Sequence, residues 1–230
     1  DWVIGGTATG VIGLLETADS AAFSQLSLSR VDKRTTGNVG FGYRRIPDNL
    51  NAIIGANVFF DEEFSSGHQR VGLGLEYLTT QGDIIFNHYN GISKEKKYKG
   101  VREKALDGND LKISYRFDNT FQPELFFRGF EWKGENGYKV NGHEAGAIVS
   151  LNKNIVLRVS RKDDDKSKSA VKAMLTYTVN LGEADQAKPD RFTSQNPEKN
   201  TLRKRLFKPV QRENIIRKSQ IKLGIVMSTY

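Results

Sequence analysis

The sequence predicts an all-β protein, an antiparallel transmembrane β-barrel, and three observations lead to this prediction. Apolar or aromatic residues alternate with polar residues or glycine in one segment after another. The connections between these segments are alternately short and long. Glycines and charged residues share the polar side of the alternation. Together these features are typical of outer-membrane barrels.

Composition excludes several other classes of protein. Of the 230 residues 37% are hydrophobic, and the mean hydropathy is −0.53. A membrane-spanning helix needs about 18 consecutive apolar residues, and the best apolar run, 53–60, is short and contains Asn57. Aromatic residues make up 10% of the chain, which disfavours disorder. We therefore expect a folded chain without helical membrane spans.

The chain lacks cysteine and carries a net charge of +8. Disulfides, thiolate metal sites and cysteine nucleophiles are thereby excluded. The positive charge permits binding to nucleic acid or anionic lipid but is spread along the chain. No initiator methionine and no secretion signal open the sequence, so we interpret the chain as a mature fragment or an excised domain.

A period of two marks each predicted strand. In 38–44, Val39, Phe41 and Tyr43 alternate with polar residues or glycine, and the rhythm is clearest in 170–180. The eleven predicted strands are 7–17, 21–31, 36–46, 50–62, 69–79, 84–92, 110–118, 123–133, 143–151, 154–161 and 170–180.

The connections fall into two alternating sets. The short ones are 16–19, 47–49, 79–82, 118–122 and 152–154. The longer, polar ones are 32–37, 62–69, 93–109, 133–142 and 161–169. Short turns on one rim and long loops on the other are what outer-membrane barrels show.

The polar face of the alternation favours a lumen over a solvated outer surface. Neighbouring strands place Gly40, Gly42, Gly72 and Gly74 on this face, and small residues suit a crowded interior that another segment approaches closely. Aromatic residues near strand ends fit interfacial girdles, although strands favour aromatics in any case. These aromatic residues are Tyr43, Phe60, Tyr77, Phe117, Trp132 and Tyr177.

After residue 181 the alternation stops. Residues 182–200 are polar, contain proline and are interpreted as a linker. Seven Lys or Arg then accompany a single acid, Glu213, in 201–218, and 219–226 resembles a short strand. We therefore divide the chain into a barrel, 1–181, and a segment that threads the lumen, 182–230. The basic run also permits a nucleic-acid interpretation, but no recognisable binding module surrounds it.

No pattern for catalysis, a cofactor or a metal is found. His68, His88 and His143 are not spaced as metal ligands. The glycine pairs lie inside strands, where no phosphate-binding helix follows. The acidic run 163–165 is interpreted as solvated charge, and the run 61–63 is expected to cap a rim of the barrel.

Two runs of sequence resemble the intimin and invasin family of inverse autotransporters. They are G-A-N-V-F-F-D-E-E-F at 55–64 and R-V-G-L-G-L-E-Y at 70–77. Residues 38–49 and V-Q-R-E-N at 210–214 are also similar to the family, so the resemblance extends over about 8–223. The positions that carry the pattern are Gly55, Asn57, Phe59, Asp61, Glu63, Phe64, Arg70, Gly72, Gly74, Glu76 and Tyr77.

The resemblance implies a twelve-stranded translocator in the outer membrane of a Gram-negative bacterium. Residues 182–218 would enter the lumen, with a helical turn near 200–206, and 219–230 would emerge outside. The implied partners are outer-membrane lipid, the barrel assembly machinery, periplasmic chaperones and the chain's own C-terminal passenger. A host-cell receptor would be bound only through the passenger, which is not part of this sequence, and no nucleic acid or cofactor is implied.

Eleven predicted strands are an odd number, whereas bacterial single-chain barrels have an even number. We expect twelve, either with a first strand upstream or with a short extra strand at 2–6. Unpaired edges are costly in lipid, so we expect the barrel to be closed.

We expect the tail to meet inward-pointing polar side chains. The barrel candidates are Arg44, Asn57, Arg70, Glu76, Lys112 and Arg116. The tail candidates are Arg203, Arg205, Gln211, Arg212 and Asn214. A general diffusion porin and a soluble basic nucleic-acid-binding β-protein remain the alternatives.

Overall fold

A computed structural model describes residues 2–117, 123–181, 197–222 and 225–229. The predicted turn at 118–122 and linker residues 182–196 lie outside the described residues. The strands are β1 (Trp2–Glu16), β2 (Ser20–Val31), β3 (Arg34–Arg45), β4 (Ile53–Glu63), β5 (His68–Leu78), β6 (Gly82–Gly91), β7 (Lys96–Tyr98), β8 (Val101–Ala105), β9 (Asp107–Arg116), β10 (Glu124–Lys133), β11 (Lys139–Ser150), β12 (Ile155–Asp164), β13 (Ala170–Leu181), β14 (Lys218–Lys222) and β15 (Ile225–Thr229). A single described helix, α1 (Pro197–Arg203), precedes β14. No helix among the described residues is long and apolar enough to cross a membrane.

Eleven of the described strands form a closed barrel, in the order β1-β13-β12-β11-β10-β9-β6-β5-β4-β3-β2. Each of the eleven agrees with a predicted strand to within a few residues. Neighbours in the chain pair antiparallel, whereas β1 and β13 pair parallel, from Trp2 opposite Val171 to Ile12 opposite Leu181. In an up-and-down barrel with an odd number of strands the first and last strands must run in the same direction, so closure requires this parallel pair.

The expectation of twelve strands is therefore not met in the described residues. Trp2 to Gly6 belong to the continuous strand β1 and do not form an extra short strand. The parallel ladder between β1 and β13 satisfies the backbone groups that an open edge would leave unpaired.

The apolar side of the alternation faces outward. Phe41 and Leu75 are 56% and 60% exposed, whereas Arg44 and Arg70, on the opposite face of the same two strands, are 1% and 0% exposed. A soluble barrel would have the reverse arrangement, because it must bury its apolar face. The predicted fold class, an all-β antiparallel transmembrane barrel, is confirmed.

Two rims result from the alternation of connections. The short-turn rim carries the connections 17–19, 46–52, 79–81 and 151–154, and the long-loop rim carries 32–33, 64–67, 92–106, 134–138 and 165–169. The predicted grouping of the connections into two sets is reproduced on opposite ends of the barrel. The predicted difference in length is not general, because 32–33 has only two residues, 46–52 has seven, and 92–106 alone among the described connections is long.

A second, four-stranded sheet has the order β15-β14-β8-β7. The alternation pattern predicts a loop at 93–109 and one strand at 219–226. The structure instead places the hairpin β7–β8 in that loop, and two strands, β14 and β15, after residue 217. Strands of three and five residues rich in Lys, Arg and Glu carry no apolar alternation, which is why the pattern did not predict them.

Candidate functional site

The tail, defined here as residues 197–222, lies against inward-pointing side chains of the barrel. Its hydrogen bonds are made with residues of β1 to β6, β8, β9 and β10 and with adjacent turns. The lumen and the tail together form the candidate functional site.

The tail begins at the short-turn rim. The guanidinium of Arg203 donates to the backbone oxygen of Thr17 at 2.9 Å and to the Glu16 carboxylate at 2.9 Å. The guanidinium of Arg205 donates two bonds to the Asp83 carboxylate, at 2.7 and 2.8 Å. Because these partners lie in or next to short turns, α1 is placed at that end of the barrel.

An apolar cluster, called the collar here, packs against the tail just inside this rim. Leu202 and Leu206 are fully buried there, and Phe207 packs against the same cluster. Burying a leucine side chain stabilises a protein by about 1.5–3 kcal/mol, so the collar holds the tail without any charge. The barrel residues of the collar are Ala21, Ile46, Ile53, Leu78 and Ile85.

Arg44 binds the backbone of the tail beyond the collar. Its Nη1 donates to the carbonyl oxygens of Arg205, Leu206 and Lys208, at 3.2, 3.0 and 2.6 Å. Glu76 accepts two further bonds from the same guanidinium, at 2.8 and 2.9 Å. The carboxylate of Glu76 therefore compensates the buried charge and orients Arg44 toward the tail.

Halfway along the lumen the tail is held by neutral groups and one lysine. The backbone N–H of Val210 donates to Gln25 Oε1 at 2.8 Å. The ammonium group of Lys112 donates to Gln211 Oε1, and also to Glu124 Oε1 at 2.6 Å. Asn87 Nδ2 donates to the Gln211 carbonyl oxygen at 3.4 Å.

Arg212 makes an enclosed contact deeper in the lumen, where its side chain is only 1% exposed. Its guanidinium donates two bonds to Asp61, at 2.7 and 2.8 Å, and lies over the rings of Phe59 and Tyr89, 4.4 and 5.5 Å from their centroids. Arg70 pairs with the same carboxylate at 2.8 Å. Two buried arginines therefore share one buried aspartate, and cation–π contacts add to the hold on Arg212.

The next residues of the tail are bound through their backbone. Arg70 donates to the carbonyl oxygens of Glu213 and Ile215, at 2.5 and 3.2 Å. Asn38 Nδ2 donates to the Asn214 carbonyl oxygen at 3.0 Å. The Glu213 carboxylate is itself paired with Arg128 at 3.0 Å.

The tail reaches the long-loop rim at Lys218. This fully buried lysine pairs with Glu63, which also accepts a bond from Arg34 at 2.7 Å. Immediately before it, the Arg217 carbonyl oxygen accepts a bond from the N–H of Leu106 at 2.8 Å. From Lys218 onward the chain forms β14, which pairs with β8.

The six barrel candidates from the sequence do not all reach the tail. Arg44, Arg70 and Lys112 bind it directly. Glu76 is connected to it through Arg44, and Arg116 through Asp83, to which it donates at 3.1 Å. Asn57 packs against Gly74, and its Nδ2 has no hydrogen-bond partner among the described residues.

The tail candidates are all placed within the described residues. Arg203, Arg205, Gln211 and Arg212 bind through their side chains. Asn214 binds through its carbonyl oxygen.

Several carboxylates and aromatic rings of this site are not among the residues that the sequence predicts. The expectation that 61–63 caps a rim is wrong for Asp61, which is fully buried inside the barrel and ion-paired with Arg212. Glu63 lies at the long-loop rim as expected, but it points inward, is fully buried and pairs with Lys218. Asp61 and Glu63 lie four and six residues after Asn57 in β4 and therefore face the same side of the strand. The alternation alone could have identified them as inward-pointing.

Trp132, predicted to lie in an interfacial girdle, instead points inward, and its ring centroid is 5.3 Å from that of Tyr89. Strand β10 carries aromatic residues on both faces, so an aromatic side chain there does not by itself indicate the outer face.

No cluster of metal-ligating side chains occurs in the described part of the chain. The chemistry of the lumen is thus ion pairing, hydrogen bonding to backbone and apolar packing.

Comparison with known proteins supports the same interpretation of the fold. A family described as "Inverse autotransporter, beta-domain" matches residues 6–214. The putative attaching and effacing protein homolog of Escherichia coli K12 is 30% identical over 102 residues, which is 43% of this chain and 34% of that protein. Intimin of Citrobacter freundii is 31% identical over 103 residues, 43% of this chain and 11% of intimin. The inverse autotransporter adhesin YeeJ of Escherichia coli K12 is 44% identical over 74 residues, 32% of this chain and 3% of YeeJ.

The chain thus aligns with about a third or less of these relatives' length. A solved chain from work described as "Unveiling the Mechanism Behind the in-meso Crystallization of Membrane Proteins" superposes with a TM-score of 0.70. That likeness covers 92% of this chain and 91% of the other at 17% identity, and it supports the fold alone. The match over 6–214 shows that the chain belongs to the inverse autotransporter beta-domain family, which comprises outer-membrane translocator domains of Gram-negative bacteria and is not a known class of enzyme.

Proposed function

We propose that the barrel, 1–181, anchors a C-terminal passenger in the outer membrane and exports it, and that 182–230 is the linker that passes through the pore to the cell surface. One observation carries this proposal. The partners of the tail progress in order from the short-turn rim at Arg203, through Gln25 near the middle, to Glu63 at the long-loop rim. Long loops of outer-membrane barrels are extracellular, so the tail runs outward from N to C.

The way in which the lumen binds the tail suits a passing chain. Arg44, Arg70, Asn38 and Asn87 all donate to carbonyl oxygens of the tail. Carbonyl oxygens are present at every residue. A lumen that binds backbone can therefore accommodate a polypeptide whose side chains change as it moves.

The tail also contains side chains that fix its final position. Arg205, Arg212 and Lys218 meet Asp83, Asp61 and Glu63 at successive depths. Export would stop when these three pairs form together, because a shift along the lumen would leave several buried charges unpaired. The same pairs would anchor the passenger afterwards.

The proposed partners follow from this role. The outward apolar band contacts outer-membrane lipid, and insertion requires the barrel assembly machinery and periplasmic chaperones. A host-cell receptor would be reached only by the passenger, and the proposed role involves neither a cofactor nor nucleic acid.

An epitope appended after Tyr230 tests the direction of export. We expect antibodies to label it on intact cells, as they would an epitope inserted in the 93–109 loop. An epitope inserted at 47–49, on the opposite rim, should be labelled only after permeabilisation. Labelling of the C-terminal epitope only in permeabilised cells would overturn the proposal.

Single-channel conductance in planar bilayers tests whether the tail occupies the pore. We expect low conductance from the full chain and a sharp rise when 182–230 is removed. Equal and large conductance of the two proteins would instead support a general diffusion porin.

A further inference from the structure

The geometry of the hairpin β7–β8 is set by the two-residue turn between its strands. Lys99 and Gly100, the two residues between the strands, have φ angles of 48° and 83°. Positive φ at both positions is typical of a type I′ turn, whose twist matches that of an antiparallel pair. The hairpin therefore does not depend on the tail for its geometry.

The barrel wall holds this hairpin at the long-loop rim. Arg34 donates two bonds to Glu103, at 2.8 and 3.0 Å, and its guanidinium lies 4.1 Å from the centroid of the Tyr98 ring. Glu103 is only 1% exposed. One barrel arginine thus fixes both strands of the hairpin.

The fixed hairpin presents one edge of β8 to the tail. In a hairpin with a two-residue turn, Tyr98 and Val101 exchange backbone bonds, and bonding direction alternates along the strand. Arg102 and Lys104 therefore direct their backbone groups away from β7, toward Ile221 and Ser219 of β14. The bond from the N–H of Leu106 to the Arg217 carbonyl oxygen continues the same alternation.

The strands of the rim sheet follow the order in which an exported chain would leave the lumen. β14 pairs with β8, and β15, the next strand, pairs antiparallel with β14. On the basis of the proposed export, we propose that the β8 edge is a capture strand and folding template for the exported polypeptide. The emerging chain adds β14 to β8 and then β15 to β14.

Capture of this kind would oppose backward movement. An extended chain that leaves the lumen gains backbone hydrogen bonds on β8, as in recognition by strand addition to an exposed sheet edge. Each bond must break before the chain can slide back. Because the bonds are made by backbone, the template acts on the exported chain largely independently of its sequence.

A proline at position 104 tests the template. Lys104→Pro removes one N–H directed at β14, whereas Lys97→Pro removes one on the outer edge of β7, which has no paired strand among the described residues. Lys104→Ala removes the side chain and its ion pair with Glu135 but keeps the N–H. The readout is the rate at which an epitope after Tyr230 appears on intact cells in a pulse–chase experiment, with barrel folding followed by heat-modifiable gel mobility.

We expect Lys104→Pro to slow the surface appearance of the epitope about fivefold, which is the effect of one lost backbone hydrogen bond. The controls Lys97→Pro and Lys104→Ala should show the wild-type rate. Equal rates for all four proteins would overturn the template. If Lys104→Pro prevents barrel folding, Ser219→Pro removes an N–H of the same strand pair from the tail side, and it must then slow appearance. An epitope that stays hidden in the wild type would overturn the proposed export itself. This result differs from failure of the template, in which all variants are exported but at equal rates.

Discussion

Buried arginines of the tail are paired with buried carboxylates of the barrel, Arg205 with Asp83 and Arg212 with Asp61. Arg212 contacts the Asp61 carboxylate and two rings. Removing one member of a buried ion pair leaves an uncompensated charge, which destabilises a protein far more than loss of an exposed pair. The fixed position of the tail should therefore depend on a few residues.

Arg212→Met tests this dependence. The substitution keeps an unbranched side chain but removes two charge-assisted hydrogen bonds to Asp61, which stays paired with Arg70. We therefore expect the melting temperature of the detergent-purified protein to fall by roughly 5 °C. Arg161→Met is the matched control, since Arg161 is 68% exposed and pairs with the partly exposed Asp163. Equal melting temperatures of the two variants would contradict a stabilising role for Arg212.

Gly72→Ala tests how closely the tail approaches the wall. A methyl group at this position would lie 2.7 Å from Nη2 of Arg212, which Asp61 prevents from moving. We expect the free energy of unfolding to fall by about 1–3 kcal/mol.

The matched control for this change is Gly129→Ala, whose methyl group would meet no atom within 4 Å. In an Arg212→Met background the cost of Gly72→Ala should largely disappear, because the two changes act on one contact. An undiminished cost in that background would show that the crowding has another source.

Individual residues of the lumen could be predicted only where the alternation is clear. Arg44 and Arg70 lie opposite clean apolar runs, so their inward direction followed from parity. Asp61 and Glu63 follow the same parity, but an acidic run at a strand end was interpreted as a rim. Which carboxylate meets which arginine depends on how far the tail advances, and no local pattern encodes that distance.

The helix α1 and the collar form a plug at the short-turn rim. Leu202→Asp would place a carboxylate among Ile46, Ile53 and Ile85, and burial in this apolar cluster would remove the hydration of the charge. We expect this variant to open the short-turn end and raise single-channel conductance. Thr201→Asp is the control, because it adds the same charge to an exposed position of the same helix. Unchanged conductance of Leu202→Asp would mean that the collar does not limit ion flow.

Strands could be predicted well and the rim sheet could not. Alternation with a period of two predicts a strand wherever one face of the strand is apolar along its whole length, as in β5 and β13. Strands β7 and β8 lie beyond the apolar band, and the pairing of β8 with β14 joins segments far apart in the sequence. Such a pairing is decided by where the tail emerges.

The whole barrel depends on one pair of strands that run in the same direction. Because the chain has no cysteine, a disulfide can report this closure directly. Thr7 and Thr176 face each other across β1 and β13, so Thr7→Cys with Thr176→Cys should cross-link under oxidation. Thr7→Cys with Ser29→Cys, across the antiparallel pair β1 and β2, is the positive control.

Gel mobility under non-reducing conditions measures both cross-links. A cross-link in the control pair without one between residues 7 and 176 would mean that β1 and β13 are not neighbours. The strand number was the part of the architecture that the sequence left open, since alternation counts strands but does not say how the last one meets the first.

The donors that point into the lumen also bear on how such proteins change over evolutionary time. Arg44, Arg70, Asn38 and Asn87 recognise a group that all polypeptides share. A gene rearrangement that joined this barrel and tail to an unrelated downstream module would therefore require no matching change in the pore wall. Diversification of what is displayed can then proceed while the membrane part is kept, and the two parts can be recombined as separate units.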